Sequence, residues 1–144
     1  MKKLTSNEEL ILTVEELYER CFYWQDILGL QVWEFEIKIV DGDDLHDSMA
    51  DIVWVLSKRQ AVIRILEAEA YRKKKFSVLQ DMERSLVHEL VHATFAGLLS
   101  NEQDSAMWIM EEHAINATAK ALLSLSRPCG WICPRFCSTC GQKI

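Results

Sequence analysis

Breaks are scarce in this chain. Two prolines and five glycines in 144 residues leave few places for a linker, and the length suits one compact domain with a single core. Long apolar runs are equally scarce: the longest aliphatic and aromatic stretch, Ile52 to Leu56, is far too short to cross a bilayer. No membrane partner is expected. The opening Met1-Lys2-Lys3 leads into LTSNEELILTVEEL, whose acidic residues interrupt the apolar stretch a secretory signal needs. Positive charge is also in deficit, with 16 Lys and Arg against 22 Asp and Glu and a net charge of −6. That balance lacks the electrostatic footprint of a general nucleic-acid binder, and the local run Arg72 to Lys75 is where such a secondary partner would touch. These deficits predict a cytoplasmic protein, in which the five cysteines serve as thiols or metal ligands in place of disulfides.

Hydropathy patterning predicts an α+β fold. Leu10, Val14, Leu17, Cys21, Trp24 and Leu28 make one helical stripe, starting at Ser6 or at a capping box of Thr13 with Glu16 and stopping at Gly29. Cys21 reads as core. Residues 31–40 (QVWEFEIKIV) alternate with a period near two, with Ile37 and Ile39 opposite Glu34, Glu36 and Lys38, and predict a half-buried strand. Segments 49–56 and 60–66 predict an antiparallel hairpin turned at Ser57 to Arg59, giving a small three-stranded sheet that contains antiparallel pairing. The intervening DGDDLHD lacks the ligand rhythm of a calcium loop and reads as a solvated turn. The period then becomes 3.6: a long helix is expected from Ser77 to a stop at Ser100-Asn101, and a second from about Ser105 to Leu125, closed by Pro128 and Gly130.

The chemistry-bearing stretch is SLVHELVHATFAGLL at 85–99. On a helix, residues four apart share a face, so His88 and His92 form a two-point clamp for one zinc ion. Glu89 stands about 100° further round, placed to reach a metal-activated water as general base without binding the metal. Such polar groups in apolar surroundings are costly unless a metal satisfies them. A catalytic zinc takes a third protein ligand, and MEEHAIN supplies Glu111, Glu112 and His113. Glu112 is favoured, because Asn116 lies one turn on, where its amide could orient a ligating histidine. Glu111 and His113 stand as alternatives.

A HELVH helix, preceded by a helix and a small sheet and followed by a glutamate on a second helix, resembles the gluzincin zinc metallopeptidases. Within them it is most similar to the small minigluzincin-like and phage or prokaryotic metallopeptidase-like proteins. SprT-like and ImmA/IrrE-type peptidases look like relatives; the Gly-His-Gly segment of the former is absent here, and the latter would align EEHAINA on Glu111. The resemblance implies a metalloendopeptidase hydrolysing peptide or protein substrates, with His88, His92 and Glu112 on zinc, Glu89 as general base and Asn116 where gluzincins carry an acid. It also implies that the last strand, Ala61 to Leu66, holds an extended peptide by its edge. No oxyanion partner is visible, and Tyr71 and His46 read as ordinary surface.

The metallopeptidase-like domain is expected to span residues 1–127, with a Cys-rich tail at 128–144. Cys129, Cys133, Cys137 and Cys140 predict a second, structural zinc site, although the short gap between Cys133 and Cys137 could leave one thiol free. The tail could alternatively place a thiolate on the catalytic zinc and hold the enzyme latent. The competing class is a catalytically weak or inactive zinc-bound recognition module whose tail engages a partner or nucleic acid.

Overall fold

Thr13 settles where the first helix starts. Its hydroxyl accepts the Glu16 N–H at 3.2 Å, and the Glu16 carboxylate accepts the Thr13 N–H at 3.1 Å, so α1 spans Val14–Leu28. Leu10 falls outside the helix and instead forms a bridge with Asp81. Gly29 ends α1 at φ 70, a left-handed conformation that costs glycine nothing. The computed structural model describes residues 9–43, 45–96 and 103–127. The tail at 128–144, with its four cysteines and proposed structural zinc, lies outside the described residues, as does the helix stop expected at Pro128.

Strands β1 (Glu34–Val40), β2 (Ala50–Val55) and β3 (Gln60–Leu66) form one sheet in the order β1-β3-β2. The expected hairpin is present: β2 and β3 pair antiparallel, and the chain reverses through Leu56–Lys58 and a left-handed Arg59. β1 then pairs parallel to the other side of β3, in a register that sets Ile37 beside Ile63 and Ile39 beside Ile65. Extending that apolar face makes β3 the central strand. The expectation that Ala61 to Leu66 offers a free edge is therefore overturned; the edges of the sheet are β1 and β2. Residues 31–33 form a turn and not the start of β1, with the Trp33 N–H donating to the Leu30 carbonyl.

A short helix that the hydropathy pattern does not announce, α2 (Ala68–Lys74), packs Ala70 and Tyr71 on Leu45 and Leu66. The next helix, α3 (Met82–Thr94), begins five residues later than Ser77, because tertiary pairing claims the preceding segment. Leu10 donates to the Gln80 carbonyl and accepts from the Met82 N–H, while the Gln80 amide donates to the Leu66 carbonyl. Asp81, left at the boundary, caps the helix by accepting the Arg84 N–H at 3.0 Å. The helix ends at Thr94, short of the expected stop; residues 97–102 lie outside the described set. Ser105 caps the last helix, α4 (Ala106–Ser126), by accepting the Trp108 N–H.

α3 is the centre of the molecule, packed by α1, by α4 and by the sheet. Leu86, Val87 and Leu90 on it are fully buried against Leu17 and Trp24 of α1, Ile63 and Ile65 of β3, and Ile115 and Ala119 of α4. Among the described residues, no helix is long and apolar enough to cross a membrane.

Candidate metal centre

The four-residue spacing on α3 does what helical geometry requires. His88 and His92 stack edge to face with ring centroids 4.8 Å apart, and their Nε2 atoms are 3.1 Å apart. α4 supplies the third group. Its buried stripe is Ile115, Ala119 and Leu123, and Glu112, three residues before Ile115, continues that stripe toward α3. Glu112 Oε2 stands 3.3 Å from His88 Nε2, and Oε1 stands 2.9 Å from His92 Nε2. Among the described residues, no other group of three His, Cys, Asp or Glu side chains converges in this way. Glu111 lines the neighbouring cleft without joining the triad, His113 is exposed, and Asn116 lies at the cleft mouth near Glu112.

The donor set fits a tetrahedral metal ion. With bonds of about 2.0–2.2 Å, ligand atoms on zinc stand roughly 3.3–3.5 Å apart. The two imidazole nitrogens stand 3.1 Å apart and each meets a different Glu112 oxygen, at 3.3 and 2.9 Å, separations close to those that ligation of one ion imposes. The three side chains remain 17%, 15% and 24% exposed, so the cluster opens to the cleft and is not sealed in the core. Two imidazoles and a carboxylate are a borderline donor set that suits zinc.

Electrostatics separate the two glutamates. Hydrogen bonds from His88 and His92 hold the Glu112 carboxyl down to about 2, so it is ionised and ready to ligate. Burial pushes Glu89 up to about 8, partly offset by His88 and reinforced by Glu112 and Asp51. A cation at the triad supplies the positive charge that an ionised Glu89 otherwise lacks.

A cleft passes over the triad, with His88, Glu89 and Glu112 common to both of its lobes. One lobe, about 430 Å³, continues past Met49, Tyr71, Val78, Leu79 and Arg84. Tyr71 is thus not ordinary surface: it is 5% exposed and its hydroxyl donates to the Val78 carbonyl at 2.8 Å, shaping this lobe. His46 is exposed and lines neither lobe. The other lobe, about 480 Å³, runs between Ile52 and Trp54 of β2 and Trp108 and Glu111 of α4.

Among the described residues no strand pairs with the outer edge of β2, which forms one wall. The Leu66 N–H donates to the Met49 carbonyl, which makes that opposed pair a hydrogen-bonded one. In an antiparallel ladder such pairs alternate, so Asp51 and Val53 bond to β3, and the backbone groups of Ala50, Ile52 and Trp54 point away from it. Those three residues line the cleft.

At the far end of the helix pair lies a buried ionic cluster that hydropathy does not reveal. Arg127 forks onto Asp81 at 2.7 and 3.0 Å, while Glu83 accepts from Arg20 at 3.0 Å and from the Trp24 indole at 3.2 Å. The antiparallel α3 and α4 are thus tied at both ends, through Asp81–Arg127 at one and the triad at the other. Hydropathy patterning singles out neither Asp81 nor Glu83, because their partners lie on other helices.

Comparison with protein-family models, with curated proteins and with solved structures finds no match to this chain.

Proposed function

We propose that this chain is a cytoplasmic, gluzincin-type zinc metallopeptidase acting on extended peptide segments. One observation carries the reading: a His88–His92–Glu112 cluster able to hold a metal ion lies beside the buried Glu89, in a cleft walled by the edge strand β2. A bound zinc supplies Lewis acidity, lowering the pKa of a water toward neutrality and polarising the scissile carbonyl. The chain's own residues do the rest. Glu89 takes the proton of the attacking water and delivers it to the leaving amine, the neighbouring cation favouring the ionised carboxylate that this role needs. The backbone groups of Ala50, Ile52 and Trp54 pair with the substrate as an added strand, which transfers the peptide-holding edge from β3 to β2. Asn116 lines the same cleft as His88 and Glu112, where its amide is assigned to orient a ligating histidine.

The test is to load the protein with zinc, incubate it with a mixture of unstructured proteins and sequence the new termini by mass spectrometry. New termini that vanish in Glu89→Gln and in His92→Ala are the expected result. One zinc at the triad with no cleavage of any substrate would overturn the peptidase reading and favour a recognition module.

A further inference from the structure

We infer that the lobe between Trp54 and Trp108 is a side-chain pocket that selects peptides carrying an aromatic or large aliphatic residue near the metal. The inference rests on the peptide-binding reading above and adds to it the class of substrate.

The four described tryptophans fall into two groups. Trp24 is buried, with its indole N–H satisfied by Glu83, and Trp33 stacks on Phe35 at 5.8 Å with its plane tilted by only 9°. Trp54 and Trp108 instead come from opposite walls of one lobe, β2 and α4, and both remain partly exposed there. Large amphipathic rings on two facing walls form a slot whose natural filling is another apolar side chain, because burying it removes three apolar surfaces from water together.

Sheet geometry makes the slot reachable. Ala50, Ile52 and Trp54 lie on the face of the sheet that turns toward α3, opposite Ile65, Ile63 and Ala61. A peptide added at the open edge continues the sheet, so its residues opposite these three send their side chains to that same face. Ala50 borders both lobes, and His88 does too. The peptide residue opposite Ala50 therefore lies at the metal. The one two positions further along, opposite Ile52, enters the slot, and Trp54 closes its far side. Alternation also excludes the intervening residue, which points to the opposite face beside Asp51 and Val53. Selectivity is then periodic: position two counts, and position one does not.

Binding is measured by tryptophan fluorescence and calorimetry on the Glu89→Gln protein, with and without zinc. The probes are blocked octapeptides of serine and alanine that differ at one position, Phe, Leu or Ala. Phe and Leu peptides are expected to bind at least about tenfold tighter than the Ala peptide, the gain typical of one buried apolar side chain. Trp108→Ala should abolish that ratio with zinc stoichiometry unchanged, and Trp108→Phe should restore most of it, which separates loss of the slot from loss of the fold. Equal affinity for all three peptides, no measurable binding of any, or a ratio that survives Trp108→Ala would each overturn the inference. Selective binding with no cleavage by the wild type would sink the peptidase reading but leave the slot standing. Cleavage indifferent to the Phe, Leu or Ala position would do the reverse.

Discussion

Removing the guanidinium of Arg127, which lines neither lobe of the cleft, should destabilise the protein. Arg127 is 5% exposed, and it forks onto Asp81 at 2.7 and 3.0 Å, with Glu83 4.0 Å away. In Arg127→Met the stem volume is largely kept, but Asp81 is left as a carboxylate, 9% exposed, that has lost its buried guanidinium and keeps its capping bond to the Arg84 N–H. Breaking a buried pair from one side costs about 3–5 kcal/mol, because the surviving charge stays desolvated. Glu83 is cushioned, since Arg20 and Trp24 still donate to it, which places the expected loss near the lower end, about 3 kcal/mol. With a urea slope of about 1.5–2 kcal/mol/M, the unfolding midpoint should fall by roughly 1.5–2 M. Asp81→Asn keeps a capping side chain and removes the charge. The double variant should therefore be more stable than the sum of the single losses predicts, by at least about 1 kcal/mol of coupling. Circular dichroism against urea for the four proteins measures all of this. A loss below about 1 kcal/mol for Arg127→Met, or a strictly additive cycle, would refute the claim that this pair closes the α3–α4 unit.

Further outcomes follow from the same geometry. Glu112→Gln should weaken zinc binding by a hundredfold or more in competition with a chromogenic chelator, whereas Glu111→Gln should change it little, since only Glu112 reaches both imidazoles. Ile52→Pro should leave the sheet folded yet raise KM for peptide substrates at least about tenfold, because the N–H it deletes faces the cleft; Val53→Pro, which deletes a bond to β3, should unfold the hairpin. Similar thermal melts for these two variants would show that the register argument is wrong. Burial pushes the Cys21 thiol up from 9.0 to about 12, so in the native protein its peptide should stay unalkylated by iodoacetamide at pH 8. The same upward shift means that Cys21 favours the folded state fully below pH 9 and loses that contribution as the pH climbs from 9 toward 12. Cys21→Ala should flatten that part of the stability profile.

Most of the element order and half of the site were legible in the chain itself. The capping box at Thr13, the serine before α4 and the alternation in β1 are local signals, decided by neighbours three or four residues away. His88, Glu89 and His92 belong to that class too, since one helical turn is enough to set their relation. Where local signals competed, tertiary contacts won: Ser77 offers a cap as good as Asp81, yet the bridge to Leu10 claims residues 80–82 and moves the helix start.

The sequence by itself determined the two-histidine clamp, its adjacent acid and the α+β pattern, because helix and strand periodicities fix which side chains share a face. Only the tertiary structure decided the rest. The rotation of α4 about its axis, set by burial of Ile115, Ala119 and Leu123, brings Glu112 and not Glu111 to the imidazoles. The parallel pairing of β1 buries β3 in the middle of the sheet and leaves β2 as the edge beside the metal cleft. Both outcomes depend on contacts between residues far apart in the chain, where periodicity gives a face but not the partner that covers it.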